Sequence, residues 1–369
     1  MWRDLPGPAL FLQGVVQDLR QGRNVVVAMP ETAPPGMREA LASRVAANDY
    51  VTWRTLFVTE DNRDSLEPAD LIGRRFASFE AGSQAWTPTR LATAGALAGH
   101  IVWVEGIPAR EWPTWRRFLS DFEHERRNAS PDSLLLCVAL VGVAEKDLLQ
   151  PGPALGIRVW KGVVEPLDVW LHVSKRLHTA GRGRLHARTR ASVCASLAGA
   201  DLNLAVHLAS LPLRELVSPA PALTAWAQAL GWNDETIRSS QWHLGVQDEV
   251  EGRPFIHSAA LALSGEYEEV DRRVWRGQVG VLFPFLEEWR NHLTVALRHL
   301  LTLPFYTPFG VIIDPRDLEP GHLLWMARRK GAEEMTLRHL ERLARMRHAL
   351  AHMEPVEPDD LLEVDDLPL

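Results

Sequence analysis

Near the C-terminus, the stretch RLARMRHALAHMEPVEP (342–358) carries Arg347, His348 and His352, residue types suited to proton transfer beside a phosphate. Histidine titrates near neutral pH, so it can both take and give a proton. Arginine offers a planar fork of donors to an oxyanion. The spacing predicts a helix, on which Leu337, Leu340, Leu343 and Leu350 form one apolar stripe at about 100° per residue. Arg338, Glu341, Arg342 and Arg345 fall on the opposite side, where solvated residues are expected. Arg347 falls within the stripe. An arginine there needs a carboxylate, a subunit interface or a phosphate. His348 and His352 lie at the stripe's edge, and Pro355 is expected to end the helix soon after them. A helix end that merely places cations on its dipole would account for His352, and less well for Arg347. Arg347 and His352 are about 140° apart on an ideal wheel, so one helix alone does not aim both at one atom.

A second group is purely basic. Residues 172–190, HVSKRLHTAGRGRLHARTR, contain Lys175, Arg176, Arg182, Arg184, Arg188 and Arg190 and no acidic residue. Such a segment can neutralise phosphates without reading sequence, which makes RNA a candidate partner. The alternative is a solvated loop in an Arg-rich chain, because no aromatic residues are interleaved for base stacking. His172, His178 and His186 have no neighbouring Cys, Asp or Glu, so no metal site is expected. The acidic tail that follows Pro355 has the opposite sign, and is expected to be flexible.

These groups must be positioned by a larger frame. Residues 24–29, 50–58, 100–106 and 133–143 are apolar, β-branched-rich runs that read as strands. Helical spacing lies between them, at 66–78, 88–97 and 111–127 among other places. Alternation of this kind predicts an α/β domain with a mostly parallel sheet. The Pro/Gly break LLQPGPALG (148–156) marks its end. Beyond it, IRVWKGVVEPLDVWLHV reads as extended, a hairpin is expected at Glu251-Gly252, and the chain from about 270 is helical. The expected division is 1–155, a mixed and helical connector over 156–275, a helical domain over 276–353 and a tail over 354–369.

The first domain resembles P-loop ATPases of the STAND and AAA type. It has a strand, a loop and a helix at 24–46, and a strand running into Glu105. The loop PETAPPGMRE, however, has Met37 and Arg38 where the lysine and the Mg²⁺-binding hydroxyl of that motif belong. Prolines remove N–H groups that would cradle phosphates. The domain is therefore read as a degenerate, non-hydrolysing NTPase-like domain with no bound cofactor. Binding of nucleotide without hydrolysis, as a switch, is a further reading.

Arg347-His348-Ala349-Leu350-Ala351-His352 resembles the R-[N/D/H]-x-x-x-H signature of HEPN domains, over roughly Leu282 to Met353. That resemblance implies a helical bundle and a metal-independent endoribonuclease of toxin–antitoxin or antiviral defence type. It implies His352 as acid/base, Arg347 on the phosphate and His348 as an auxiliary polar group. It also implies a homodimer through the C-terminal helices, whose second copy completes the site. The other function it allows is a non-catalytic adaptor or regulatory subunit that works with partner proteins of a defence complex.

Composition bounds these readings. The 369 residues carry a formal net charge of -7, so a nucleic-acid site must be a local patch. Two cysteines, Cys137 and Cys194, supply no disulfide framework and point to a reducing, cytoplasmic setting. The longest apolar run, LLLCVALVGVA, is too short to cross a membrane, and no membrane association is expected.

Overall fold

β-branched runs bounded by glycine and proline build the first part of the chain. The computed structural model describes residues 1–45, 51–58, 67–77, 84–178, 184–239 and 241–362. The elements run α1 (Pro6–Arg20), β1 (Asn24–Met29), α2 (Met37–Val45), β2 (Thr52–Phe57), α3 (Pro68–Phe76), α4 (Pro88–Thr93), β3 (His100–Glu105), α5 (Trp112–Arg126), β4 (Leu135–Val141) and β5 (Leu155–Val159). The five strands form one sheet in the order β2-β3-β4-β1-β5, every pairing parallel. β1 lies between β4 and β5 and is buried along its whole length, as its continuous apolar run requires. At its start the Asn24 carboxamide oxygen accepts the Leu136 N–H at 2.8 Å. Buried Asp18 on α1 clasps Arg23 and Arg158, both at 2.6 Å, and ties that helix to β5.

After α6 (Pro166–His178) the chain is mostly helical: α7 (Arg184–Ala198), α8 (Leu202–Ser210), α9 (Leu213–Val217), α10 (Ala220–Ala229) and α11 (Asp234–Ser239). The residues read as extended after 160 differ. Only β5 is a strand, and PLDVWLHV is helical from Pro166, which is pre-set for a first turn. The hairpin at Glu251-Gly252 is present as β6 (Gln247–Val250) and β7 (Arg253–Ile256), with both turn residues at positive φ. Then follow α12 (Ser258–Ser264), α13 (Tyr267–Ala296), a hairpin of β8 (Phe305–Thr307) and β9 (Gly310–Ile312), α14 (Pro320–Arg329), α15 (Glu334–Ala351) and α16 (Pro358–Leu362).

The chain divides into two units, Met1–Asp168 with Glu235–Ile256, and Val169–Asp234 with His257–Leu369. This differs from a division at 155 and 275. The β6–β7 hairpin joins the first unit, where Asp248 accepts the Gly162 N–H at 3.0 Å. The stretch expected to be one connector is therefore shared between the units.

In the second unit α7 lies against α13 almost backbone to backbone. A Cβ on Gly277 would stand 2.5 Å from the Val193 Cα and 2.8 Å from its N. Beside this contact Arg273, 6% exposed, donates to the Ser258 hydroxyl at 2.7 Å, which in turn donates to the Leu197 carbonyl. The tail is ordered further than expected. Gln278 accepts the Val356 N–H at 2.6 Å and donates to its carbonyl at 3.3 Å. Val356 and Leu361 are buried. The tail is thus docked as far as 362, and its remaining residues lie outside the described ones. Gly277→Ala is expected to lower stability by about 1–3 kcal/mol, since the intruding methyl meets backbone that cannot rotate away. Urea unfolding followed by circular dichroism measures it.

Candidate functional site

α15 explains where the C-terminal residues go. Its buried side is Leu340, Leu343, Met346 and Leu350, set against α13 and α14. Three residues end it in a recognisable cap. Met353 has a left-handed φ of 61°, its N–H meets the Leu350 carbonyl at 3.4 Å, and the Glu354 N–H meets Ala349 at 2.9 Å. The Trp275 indole N–H also takes the Leu350 carbonyl, at 2.8 Å. The helix thus stops at His352 through a cap centred on Met353, two residues before the expected proline stop.

Arg347 leaves the stripe sideways and is 25% exposed. Its Nε donates to Glu287 of α13 at 2.8 Å, and the rest of the guanidinium reaches Glu319, the residue preceding α14. Glu287 also accepts from Arg290 at 2.9 Å, and Arg290 donates to the Arg316 carbonyl at 2.7 Å. The result is an alternating row, Arg290–Glu287–Arg347–Glu319, that joins α13, the turn before α14, and α15. Burial raises the Glu287 carboxyl pKa, but hydrogen bonds from Arg347 and Arg290 outweigh it and hold the pKa below the usual range. Arg347 therefore has its partner within the chain, and that partner is a pair of carboxylates. The wheel called for a partner but could not name it. Glu287, Arg290 and Glu319 are 28 to 60 residues away, and only the i, i+3 spacing of Glu287 and Arg290 hints at them.

His348 and His352 are exposed, with ring centroids 4.2 Å apart. They form one solvated pair on the face of the helix end away from the carboxylates. The structure therefore brings His348 and His352 together and turns Arg347 elsewhere, as the wheel's angle implied. Arg342 and Arg345 were read as solvated. Both instead hold Asp360, at 3.5 and 2.7 Å, and Arg342 is largely covered, because the docked tail brings that carboxylate over them.

Most of the basic segment is solvent-facing. Lys175 and Arg176 are exposed on α6, and Arg184 and Arg188 are exposed on α7. Arg182 lies outside the described residues. Arg190 departs from the expectation. It is 2% exposed and donates twice to the Ala209 carbonyl at 3.2 Å, so it cannot meet RNA. The cause is helical phase, since Arg188 and Arg190 point about 160° apart on α7. Burial, then the Arg176 charge, lowers the His172 pKa to about 4, leaving this ring neutral.

At the carboxyl ends of the sheet, where α/β folds hold ligands, the loop after β1 is closed. The Glu31 and Ala33 N–H groups bond to the His243 and Pro30 carbonyls, each at 3.0 Å, and Pro30, Pro34 and Pro35 have none. Glu105 is held by Arg38 at 2.5 Å and by the Trp103 indole at 2.6 Å. Arg38 also pairs with Glu39. Two N–H groups of the loop and the Glu105 carboxylate are therefore already engaged, which leaves fewer groups for a magnesium-bound phosphate at these positions. Among the described residues no three His, Cys, Asp or Glu side chains gather as a metal site, and no helix is long and apolar enough to cross a membrane.

Compared with known proteins, the sequence matches no family model and no curated protein.

Two outcomes are expected. Met353→Gly should stabilise the protein by about 0.5–1 kcal/mol by relieving the left-handed strain at the cap, read as a higher urea midpoint. Arg347→Met should cost about 1–2 kcal/mol at neutral pH, since the row is only half-buried. Because the Glu287 pKa is depressed on folding, its contribution is present above the unfolded value of about 4.3 and is lost as pH falls through the folded one. The gap between wild type and Arg347→Met should therefore close at acid pH, and a gap independent of pH would refute the pairing.

Proposed function

We propose that this chain is a HEPN-like protein of a defence system that acts as a non-catalytic adaptor or regulatory subunit. Its degenerate NTPase-like unit and its helical unit serve as binding surfaces for partner proteins and for a second copy. The observation that carries this reading is the carboxylate pair on Arg347. Phosphoryl chemistry requires a cation aimed at charge that develops in the transition state. Here Glu287 and Glu319 already neutralise that cation. The loop after β1, with Met37 and Arg38 where a phosphate-binding motif needs lysine and a hydroxyl, supports the same reading for the other unit.

A second reading, a metal-independent endoribonuclease, is favoured by one observation: the exposed His348–His352 pair at 4.2 Å. On this reading the pair would transfer the protons of 2′-OH attack, and Arg347 would have to leave Glu319 for the RNA, in a site completed by a second copy.

Incubation of the purified protein with total RNA and EDTA separates the two. The adaptor reading expects no cleavage, and no difference among wild type, Arg347→Ala and His352→Ala. Products ending in 2′,3′-cyclic phosphate that vanish in both variants would establish the enzyme instead. In that case Glu319→Gln should raise the rate by freeing Arg347.

A further inference from the structure

The amino-terminal edge of the sheet, opposite the closed loop, has a different electrostatic character. α1 presents Gln13, Gln17, Arg20 and Gln21 along one side at i, i+4, i+7 and i+8. With Arg3 and Arg44 they line a groove of about 720 Å³ between α1 and α2. Among the described residues no carboxylate lines it. Arg3 bonds to the Ser43 hydroxyl, Arg44 reaches the Ala9 carbonyl at 3.4 Å, and neither these two nor Arg20 forms an ion pair with any of the described residues.

The groove opens into a cavity of about 540 Å³ that shares Arg20 and Gln21 with it. Leu19, Ile101 and Leu135 supply apolar wall, and Arg126 lines its inner side. Arg126 is 6% exposed. Its two terminal nitrogens donate to the Ser130 and Gly22 carbonyls at 2.8 and 2.9 Å, while its buried Nε has no partner. Both acceptors are neutral, and Asp132, also on the wall, makes no ion pair with it. A buried guanidinium without a counter-charge is costly, and burial lowers its pKa. Arg20, Arg44 and Arg126 stand in the last turns of α1, α2 and α5, where the helix dipole accepts cations. Each helix end supplies only about half a negative charge. That offsets roughly half of three full charges, and Arg3 adds a fourth.

We propose that this edge binds a nucleoside phosphate, with the phosphate on Arg3, Arg20 and Arg44 and the base in the cavity beside Arg126. The groove matches the anion and the half-apolar cavity matches a planar ring, at a size usual for small-molecule sites. The glutamines supply donors and acceptors for a ribose between them. The site is independent of the loop after β1 and of the C-terminal histidines.

Isothermal titration of the full chain with AMP, UMP and their triphosphates tests it, with adenosine and inorganic phosphate as separate arms. At least one nucleotide should bind at least tenfold more tightly than adenosine or phosphate alone. Arg20→Ala with Arg44→Ala should weaken that binding at least tenfold, whereas Arg38→Ala, at the other end of the sheet, should leave it unchanged. Circular dichroism checks that the arginine variants remain folded. No heat at millimolar nucleotide would overturn the proposal. So would binding that survives the double substitution, or phosphate binding as tightly as every nucleotide.

Discussion

An arginine taken out of water must be given a counter-charge or hydrogen-bond acceptors, and much of this protein is arranged around that requirement. Lysine and arginine together number 40, against 47 acidic residues. Partly covered arginines take acids, Arg23 and Arg158 on Asp18, Arg342 on Asp360 and Arg347 on Glu287 and Glu319, with exposed Arg345 also on Asp360, whereas buried Arg190 takes the Ala209 carbonyl. In the helical unit these pairs hold α13, α14, α15 and the docked tail in register. Apolar packing alone would leave that register less defined, because leucine stripes tolerate sliding better than a charge row does.

The same matching governs chemistry. A residue that neutralises an arginine for structure also removes it from transition-state stabilisation, unless substrate displaces the carboxylate. Arg347 in one unit and Arg38 in the other are both in this condition, although they stand in unrelated folds. The exposed histidine pair retains the capacity for proton transfer but has no unpaired cation beside it among its described contacts. Proton transfer alone accounts for a minor part of phosphodiester catalysis, the larger part coming from charge aimed at the transition state.

How much of this was legible depended on the range of the interaction. β1, β3 and β4 were readable because a strand buried on both faces needs an unbroken apolar run, which leaves a local mark, whereas β2 is a mostly exposed edge strand marked by its threonines and aromatics. The turn at Glu251-Gly252 was readable for the same local reason. The β8–β9 hairpin was not. Its three-residue strands sit beside proline, and outward Tyr306 and Val311 obscure any polar alternation. PLDVWLHV was misread because a short apolar run fits a strand and a buried helix equally well. The tail was misread because acidic, proline-containing composition signals disorder. Docking came instead from single residues: Gln278 closing on Val356, and Asp360 meeting two arginines.

By itself the sequence determined the class of each part, a parallel α/β layer followed by helices, and it isolated Arg347 as a cation on an apolar stripe that required a partner. It also showed that the loop at 30–39 lacks phosphate-binding chemistry, since missing residue types are visible without coordinates. Only the tertiary structure decided which partner Arg347 takes and that Arg190 is buried. It alone placed four arginines around one groove and cavity at the edge of the sheet. Periodicity and composition are properties of neighbouring residues, whereas a charge is satisfied or left unsatisfied by groups that folding brings from tens of residues away.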